Sequence, residues 1–133
     1  YKTRDEIVND YMIDFNNCKL IKMKKVASPP ESVTPLLIPN EEIIGVYQAI
    51  RDFVVFTNKR VISVNVQGLT GKKKDFTTLP YSKIQAFSIE TAGTFDLDSE
   101  LDLVFSGLGR VRFEFTGNSD IIAIGKLISS YIL

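Results

Sequence analysis

The sequence of 133 residues contains no histidine and only one cysteine, Cys18. Histidine is the commonest general base and the commonest metal ligand, so its absence argues against both catalysis and a transition-metal site. A single cysteine excludes an internal disulfide and a cysteine metal cluster, and a lone thiol suits a reducing compartment. We therefore expect a cytoplasmic protein that is not an enzyme and holds no cofactor or metal.

The sequence also lacks an excess of charge of either sign and a long apolar run. It has 16 basic and 16 acidic residues, whereas nucleic-acid-binding proteins usually carry a basic excess. No run of about 18 apolar residues could cross a membrane, and no signal peptide is visible. Apolar residues still make up 44% of the chain, which is enough for one compact core. We expect one globular domain with no nucleic-acid partner.

The clearest local pattern is a β-hairpin in residues 51–66. Two runs rich in valine, isoleucine and phenylalanine flank the polar break Thr57-Asn58-Lys59-Arg60. β-Branched and aromatic side chains fit a pleated, half-buried surface, and asparagine tolerates the left-handed backbone of a tight turn. The hairpin pattern then continues toward the C-terminus.

Alternating apolar and polar residues predict a series of strands followed by one helix. The predicted strands cover residues 43–50, 53–56, 61–66, 73–79, 83–91, 95–105 and 110–115. An amphipathic helix is predicted from about residue 120 to 132, with Asn118 or Ser119 as its N-cap. Seven strands and a terminal helix predict a mainly β fold, a small barrel or orthogonal sandwich with the helix over one open end.

Residues 1–35 differ in composition from this strand-rich region. Residues 3–15 are predicted to form a helix, since Thr3 and Glu6 have the spacing of a capping box. One face of that helix is apolar and packs either on its own domain or on a partner chain. The apolar residues are Ile7, Val8, Tyr11, Met12 and Phe15.

Two further segments connect this helix to the main domain. Residues 19–26 hold four lysines, which favours a guarded edge strand, with a basic membrane-surface patch as the alternative. Residues 27–35 contain three prolines and are predicted to form a linker. We therefore divide the chain into an N-terminal region, 1–35, and a main domain, 36–133.

Three stretches of the main domain resemble the bacterial pleckstrin-homology-like family: residues 50–62, 67–73 and 87–101. The resemblance implies a seven-stranded barrel of two near-orthogonal sheets with a C-terminal helix, and assembly into closed rings. Eukaryotic lipid-binding relatives use basic residues in a long loop between the first two strands. Here that connection is only Arg51-Asp52, so the resemblance does not carry lipid binding with it.

The carboxylates of predicted strand 95–105 alternate along one face, and Arg110 and Arg112 on the next strand are expected to lie opposite them. Carboxylates that point in parallel do not converge on a cation, so we interpret them as a solvated or partner-facing strip. Basic residues elsewhere in the chain give two complementary, non-identical patches, which suit head-to-tail assembly. The candidate interface consists of Asp96, Asp98, Glu100, Lys59, Arg60, Lys72 and Lys73.

The favoured function is therefore a non-enzymatic module that acts through protein contacts, with itself in a homo-oligomeric ring or with an unidentified protein partner. One alternative is a peripheral membrane or anionic-ligand domain, although lipid is the less favoured partner. Its candidate residues are Lys22, Lys24, Lys25 and Lys74. Another alternative is peptide binding at a sheet edge by addition of a strand.

Overall fold

The computed structural model describes residues 22–91 and 98–133, which form two antiparallel sheets and one C-terminal helix. The predicted N-terminal helix and the candidate residue Asp96 lie outside the described residues. The strands are β1 (Lys24–Val26), β2 (Ile43–Ala49), β3 (Asp52–Thr57), β4 (Arg60–Gln67), β5 (Lys73–Pro80), β6 (Ile84–Thr91), β7 (Ser99–Phe105) and β8 (Gly109–Phe115). The helix, α1, spans Ile121–Ile132.

The strands pair in the order of the sequence. The first sheet has the order β1-β2-β3-β4-β5, and the second has the order β6-β7-β8. A short 3-10 turn, Tyr81–Lys83, joins the two sheets. The mainly β architecture with a terminal helix is confirmed, and the seven predicted strands correspond to β2 through β8. Residues 95–97 of the sixth predicted strand lie outside the described residues.

The lysine-rich segment also adds an edge strand, as its composition indicated. The three-residue β1 pairs with β2, and Lys24 lies opposite Gln48. At the other end of the chain the cap of α1 differs from the prediction. Asp120 occupies the N-cap position with φ 56°, and no side chain of the described residues caps the helix. The side chain of Asn118 instead accepts a hydrogen bond from the backbone N–H of Asp120.

Aromatic side chains fill the space between the sheets. Tyr47 and Phe56 from the first sheet meet Phe113 and Phe115 from the second, with ring centroids 4.8–6.4 Å apart. These pairs are mostly edge-to-face, the arrangement that aromatic quadrupoles favour. The alternation predicted for β7 and β8 places their apolar side chains in this core. Those residues are Leu101, Leu103, Phe105, Val111, Phe113 and Phe115.

Residues 22–35 pack on the same domain. Met23 is fully buried in the aromatic core; its backbone N–H bonds to Glu114 in β8, and its carbonyl accepts from Thr116 just after β8. Val33 is fully buried on the outer side of the first sheet, against Val46, Val55 and Ile62. The segment that the sequence places before the main domain therefore closes one sheet and covers part of the other.

The helix α1 lies against β6. An ideal Cβ on Gly125 would stand 2.5 Å from Cδ1 of Ile89, so any larger residue here would require the end of the Ile89 side chain to shift. Ile121, Ile124 and Ile128 face the core. The helix thus covers the inner side of β6 and leaves the outer side of the second sheet to solvent.

Candidate interaction surface

A row of three carboxylates crosses the outer face of the second sheet. Glu90, Glu100 and Glu114 lie directly opposite one another on β6, β7 and β8. Directly opposed Cβ atoms are about 4.5–5.5 Å apart, and like charges at that distance destabilise a sheet. Side-by-side carboxylates of this kind are therefore unfavourable unless a cation lies close to them. We call these three residues the acidic row.

A cavity of about 250 Å³ lies next to the acidic row. All three row residues line it, together with Asp98 and Lys22. Among the described residues that line the cavity, Lys22 is the one base and four are acidic, so their charge is negative overall. Asp98 accepts a hydrogen bond from the backbone N–H of Gly117 at 2.9 Å, which makes it partly structural.

Arg112 compensates the acidic face only in part. Its guanidinium binds Asp102 through two hydrogen bonds of 2.9 and 3.1 Å and stands 3.7 Å from Glu100. The hydrogen bonds and charge of Asp102, with the charge of Glu100, raise the pKa of Arg112. The predicted contact across the strands is thus present for Arg112, whereas Arg110 lies opposite Val104 and faces no carboxylate directly.

The basic candidates lie at two separate places on the first sheet. Lys72 and Lys73 are exposed at the start of β5, and Lys59 is exposed in the turn between β3 and β4. Because Arg60 pairs with Pro80 and Gln67 with Lys73, these places are at opposite ends of the β4–β5 ladder, about 23 Å apart. The structure does not bring the predicted basic residues together in one patch.

Arg60 serves the interior of its own domain. Its guanidinium binds both oxygens of Glu41, at 2.9 and 3.0 Å, and also bonds to the carbonyl of Leu36. The hydroxyl of Thr57 donates to the same carboxylate at 2.7 Å. Burial by itself raises the pKa of Glu41, but these bonds and the charge of Arg60 outweigh it and lower the pKa to about 2. Arg60 therefore neutralises a buried acid.

The four lysines of the anionic-ligand alternative are also dispersed. Lys24 and Lys25 lie on β1 and Lys74 lies on β5, which are opposite edges of the first sheet and about 19 Å apart. Lys25 forms an ion pair with Asp120, and Lys22 lines the acidic cavity. No shared site for a phosphate group results from this placement.

The turn between β2 and β3 contains one basic residue, Arg51, which bonds to the backbone of its own domain. Arg51 donates to the backbone carbonyls of Gly68 and Val66, at 2.7 and 3.0 Å. It thus ties the turn to the neighbouring β4–β5 connection, and it does not point into a loop that could enclose a headgroup.

Two kinds of feature are absent from the described residues. Within residues 22–91 and 98–133, no three acidic or cysteine side chains are arranged to hold a metal ion. Over the same residues, no helix is long and apolar enough to cross a membrane.

Sequence reasoning missed Glu90 and Glu114 as members of the acidic surface. Their outward positions follow from strand alternation, but their alignment with Glu100 depends on a register that only the folded sheet defines. It also missed the burial of Glu41, because the stretch Pro39-Asn40-Glu41-Glu42 has no pattern that separates the buried acid from the exposed one.

Comparison with known proteins agrees with this fold. The profile of the family described as Bacterial PH domain matches residues 12–132. The uncharacterised protein YjqA of Bacillus subtilis is 42% identical over 106 residues, which cover 78% of this chain and 85% of YjqA. The uncharacterised protein YozO of the same organism is 32% identical over 97 residues, covering 73% of this chain and 83% of YozO.

A solved structure with a pleckstrin-homology domain also resembles this chain. The crystal structure of a protein with a pleckstrin-homology domain from Shewanella loihica PV-4 is 38% identical, with a TM-score of 0.71. The match covers 85% of this chain and 99% of that one. From the two-sheet fold with its terminal helix, the sequence profile and these relatives, we conclude that the chain belongs to the bacterial PH domain family.

Proposed function

We propose that this domain is a non-enzymatic module that acts through protein contacts and assembles with copies of itself into a closed ring. The observation that carries the proposal is the acidic row. Three carboxylates stand side by side with one partly shared guanidinium, while exposed lysines lie on β5 of the other sheet. Each surface is incomplete alone and complementary to the other.

The geometry favours head-to-tail contacts over symmetric pairs. The acidic and basic surfaces are different parts of one molecule, so a contact between them leaves one of each unused at the ends of a chain of subunits. Such heterologous contacts form a closed ring when the rotation between subunits permits it. Charge complementarity at the border sets orientation and association rate, and apolar contact supplies most of the affinity.

Light scattering on the full chain tests the proposal. At about 50 mM salt we expect a mass of several subunits, and at about 500 mM salt a smaller mean mass, because salt screens exposed charges. The double variant Glu90→Lys and Glu114→Lys should assemble less at low salt. The matched control is Glu31→Lys with Glu42→Lys, which makes the same change of charge at exposed positions of the first half of the chain.

The results that would refute the proposal are specific. A monomer at every salt concentration and at high protein concentration would remove self-association. Equal loss of assembly in the acidic-row variant and in the control would mean that overall charge, and not the row, governs the mass. The cytoplasmic location stays a prediction, supported by the lone thiol of Cys18.

A further inference from the structure

Two large apolar side chains stand in solvent at one end of the first sheet. Ile50 lies in the turn between β2 and β3 and is 83% exposed, and Leu69 lies in the turn between β4 and β5 and is completely exposed. Among the described residues, neither side chain takes part in an apolar cluster. Single exposed apolar residues are common, so the meaning of this pair depends on its surroundings.

The backbone at Ile50 is strained. Its φ is 50°, in the left-handed region, where a β-branched residue is a genuine outlier. The other described non-glycine residues with positive φ are Lys22, Asn40 and Asp120, none of which is β-branched. Two-residue hairpin turns prefer glycine, asparagine or aspartate at such a position. A side chain that strains the backbone and joins no apolar cluster of the described residues indicates a role outside the fold.

Hydrogen bonds hold the two turns side by side. Arg51 donates to the backbone carbonyls of Gly68 and Val66, at 2.7 and 3.0 Å. The carboxylate of Asp52 accepts from the backbone N–H of Val66 at 2.9 Å. The turn between β2 and β3 is thus fixed to the end of β4 and to the turn that follows it. Both apolar side chains therefore project from the same end of the first sheet.

Basic residues surround the two apolar side chains. Residues 72–74 are three consecutive exposed lysines that begin three residues after Leu69, and Arg51 lies beside Ile50. The acidic residues of strands β2 through β5 are Asp52 and Asp75. Both are bonded within the domain, Asp52 to a backbone N–H and Asp75 to a threonine hydroxyl. Basic residues therefore outnumber acidic ones at this end.

We propose that this end of the sheet docks on the surface of an anionic lipid bilayer. Ile50 and Leu69 enter the headgroup region, and residues 72–74 lie against the negative charge of the lipids. We call these five residues the turn surface. It is a second binding surface, separate from the acidic row.

The shape and charge of the turn surface favour a bilayer over other anionic partners. Its apolar side chains stand at the tips of turns, and a bilayer accepts projecting apolar groups anywhere on its surface. Nucleic acid would attract the lysines, but its binding proteins offer stacking aromatic side chains, whereas the tips here are aliphatic. Arg51 is held by two carbonyls, so the turn surface does not enclose a headgroup. Binding should therefore follow the charge of the membrane and not the identity of one lipid.

The expected binding is reversible and sensitive to salt. Each lysine close to an anionic membrane strengthens binding about fivefold, and salt screens this attraction. The proposal goes beyond the protein contacts proposed above and does not depend on them. Lys73 and Lys74 are also among the exposed lysines of β5 offered there, so a membrane and a neighbouring subunit would compete for them.

Cosedimentation of the full chain with lipid vesicles tests the proposal. With vesicles of phosphatidylcholine and about 30% phosphatidylglycerol at about 50 mM salt, we expect most of the protein in the pellet. Affinity should fall at least about tenfold at about 500 mM salt. Vesicles of phosphatidylcholine alone should bind little protein. Inorganic phosphate should displace the protein no better than sodium chloride of equal ionic strength.

Replacement of the apolar tips separates binding from folding. Ile50→Asn with Leu69→Ser should weaken vesicle binding at least about tenfold, because two apolar side chains no longer enter the membrane. The melting temperature should stay the same or rise, because asparagine tolerates a positive φ. The matched control is Ile122→Asn with Leu133→Ser, which makes similar changes at exposed positions of the C-terminal helix and after it. This control should bind as the parent does.

Replacement of the lysines tests the charge. Changing residues 72–74 to glutamine should abolish most binding at low salt. The matched control changes the exposed lysines Lys59, Lys83 and Lys126 to glutamine, with the same change in net charge, and should bind nearly as the parent does.

Four results would overturn the proposal. The first is no binding to anionic vesicles at low salt, and the second is equal loss of binding in a variant and its control. The third is unchanged binding without the apolar tips, which would mean adsorption by charge alone. The fourth is stronger displacement by phosphate, or equal binding of duplex DNA that the same variants lose, which would assign another anionic ligand. A monomeric chain that binds vesicles would support this proposal and remove only the self-association.

Discussion

The carboxylate of Glu41 and the carboxylates of the acidic row have opposite environments. Glu41 is buried, and it receives hydrogen bonds from Arg60, Thr57 and the backbone of Ile38. The acidic row stands on an outer sheet face, where its three members lie across from one another. Glu41 is satisfied within the molecule and helps to hold the fold together. The acidic row is compensated only in part, by the guanidinium of Arg112 near Glu100.

The same contrast applies to the arginines. Arg60 neutralises a charge that has no access to water, so its loss would leave Glu41 buried and unpaired. Arg112 holds exposed acids that water and salt screen in any case. The position of an ion pair, more than its length, decides whether it contributes to stability or to recognition.

The largest expected effect is that of Arg60→Leu. Breaking a buried ion pair by removing one partner typically costs about 3–5 kcal/mol in the free energy of unfolding. Urea denaturation measures this loss. The matched control is Arg51→Leu, which removes two bonds to backbone carbonyls but leaves no buried charge, and should cost about 1–2 kcal/mol. Equal losses in the two variants would mean that leaving Glu41 buried without Arg60 costs no more than losing two exposed hydrogen bonds.

The second-largest expected effect is the loss of stability at low pH that results from protonation of Glu41. Its pKa in the folded protein is about 2, below its ordinary value of 4.5, so its contribution to stability is complete above pH 4.5. That contribution disappears as the pH falls through this window, with a total on the order of 2–3 kcal/mol. Urea denaturation between pH 6 and pH 2 should show the decline. Glu41→Gln should be less stable at pH 6 and flatter over the same range, and a parallel decline in that variant would contradict the assignment.

Removing charges from the acidic row should raise the stability of the fold. In the double variant Glu90→Gln and Glu114→Gln, the like charges are gone, so we expect a higher melting temperature. Association should weaken about tenfold, because the complementary charge is lost as well. Thermal unfolding and sedimentation velocity measure the two effects. Lower stability together with unchanged association would mean that the row is structural, as Glu41 is.

The smallest expected effect is that of Arg112→Gln. Its ion pairs are exposed to solvent, and such pairs contribute little to stability. We expect a melting temperature within error of the parent protein, measured by differential scanning calorimetry. A drop as large as that of Arg60→Leu would show that the outer face of the second sheet supports the fold more than its exposure indicates.

The sequence predicts the strands of this molecule, but it does not predict how charged side chains on different strands are aligned. Strand periodicity located β2 through β8 and the inward residues of β7 and β8, because one side chain in two must avoid water. The same alternation could not align Glu90 with Glu100 and Glu114, since the register between strands is a property of the whole sheet.

Other features depended on contacts between distant parts of the chain. Met23 resembles any apolar residue in a lysine-rich stretch, yet it closes the edge of β8, nearly one hundred residues later. The sequence predicts an interface role for Arg60, because nothing near it in sequence shows that Glu41 is buried beside it. Local pattern predicts exposure of a charge well, but it does not predict which charge finds a buried partner.

The most direct test of the account is the mass of the full chain in solution. Multi-angle light scattering at about 50 mM salt should give a mass of several subunits that falls as salt is raised, since the complementary charges guide the contact. A mass of one chain at every salt and protein concentration would contradict the claim that the acidic row and β5 bring copies of this domain together.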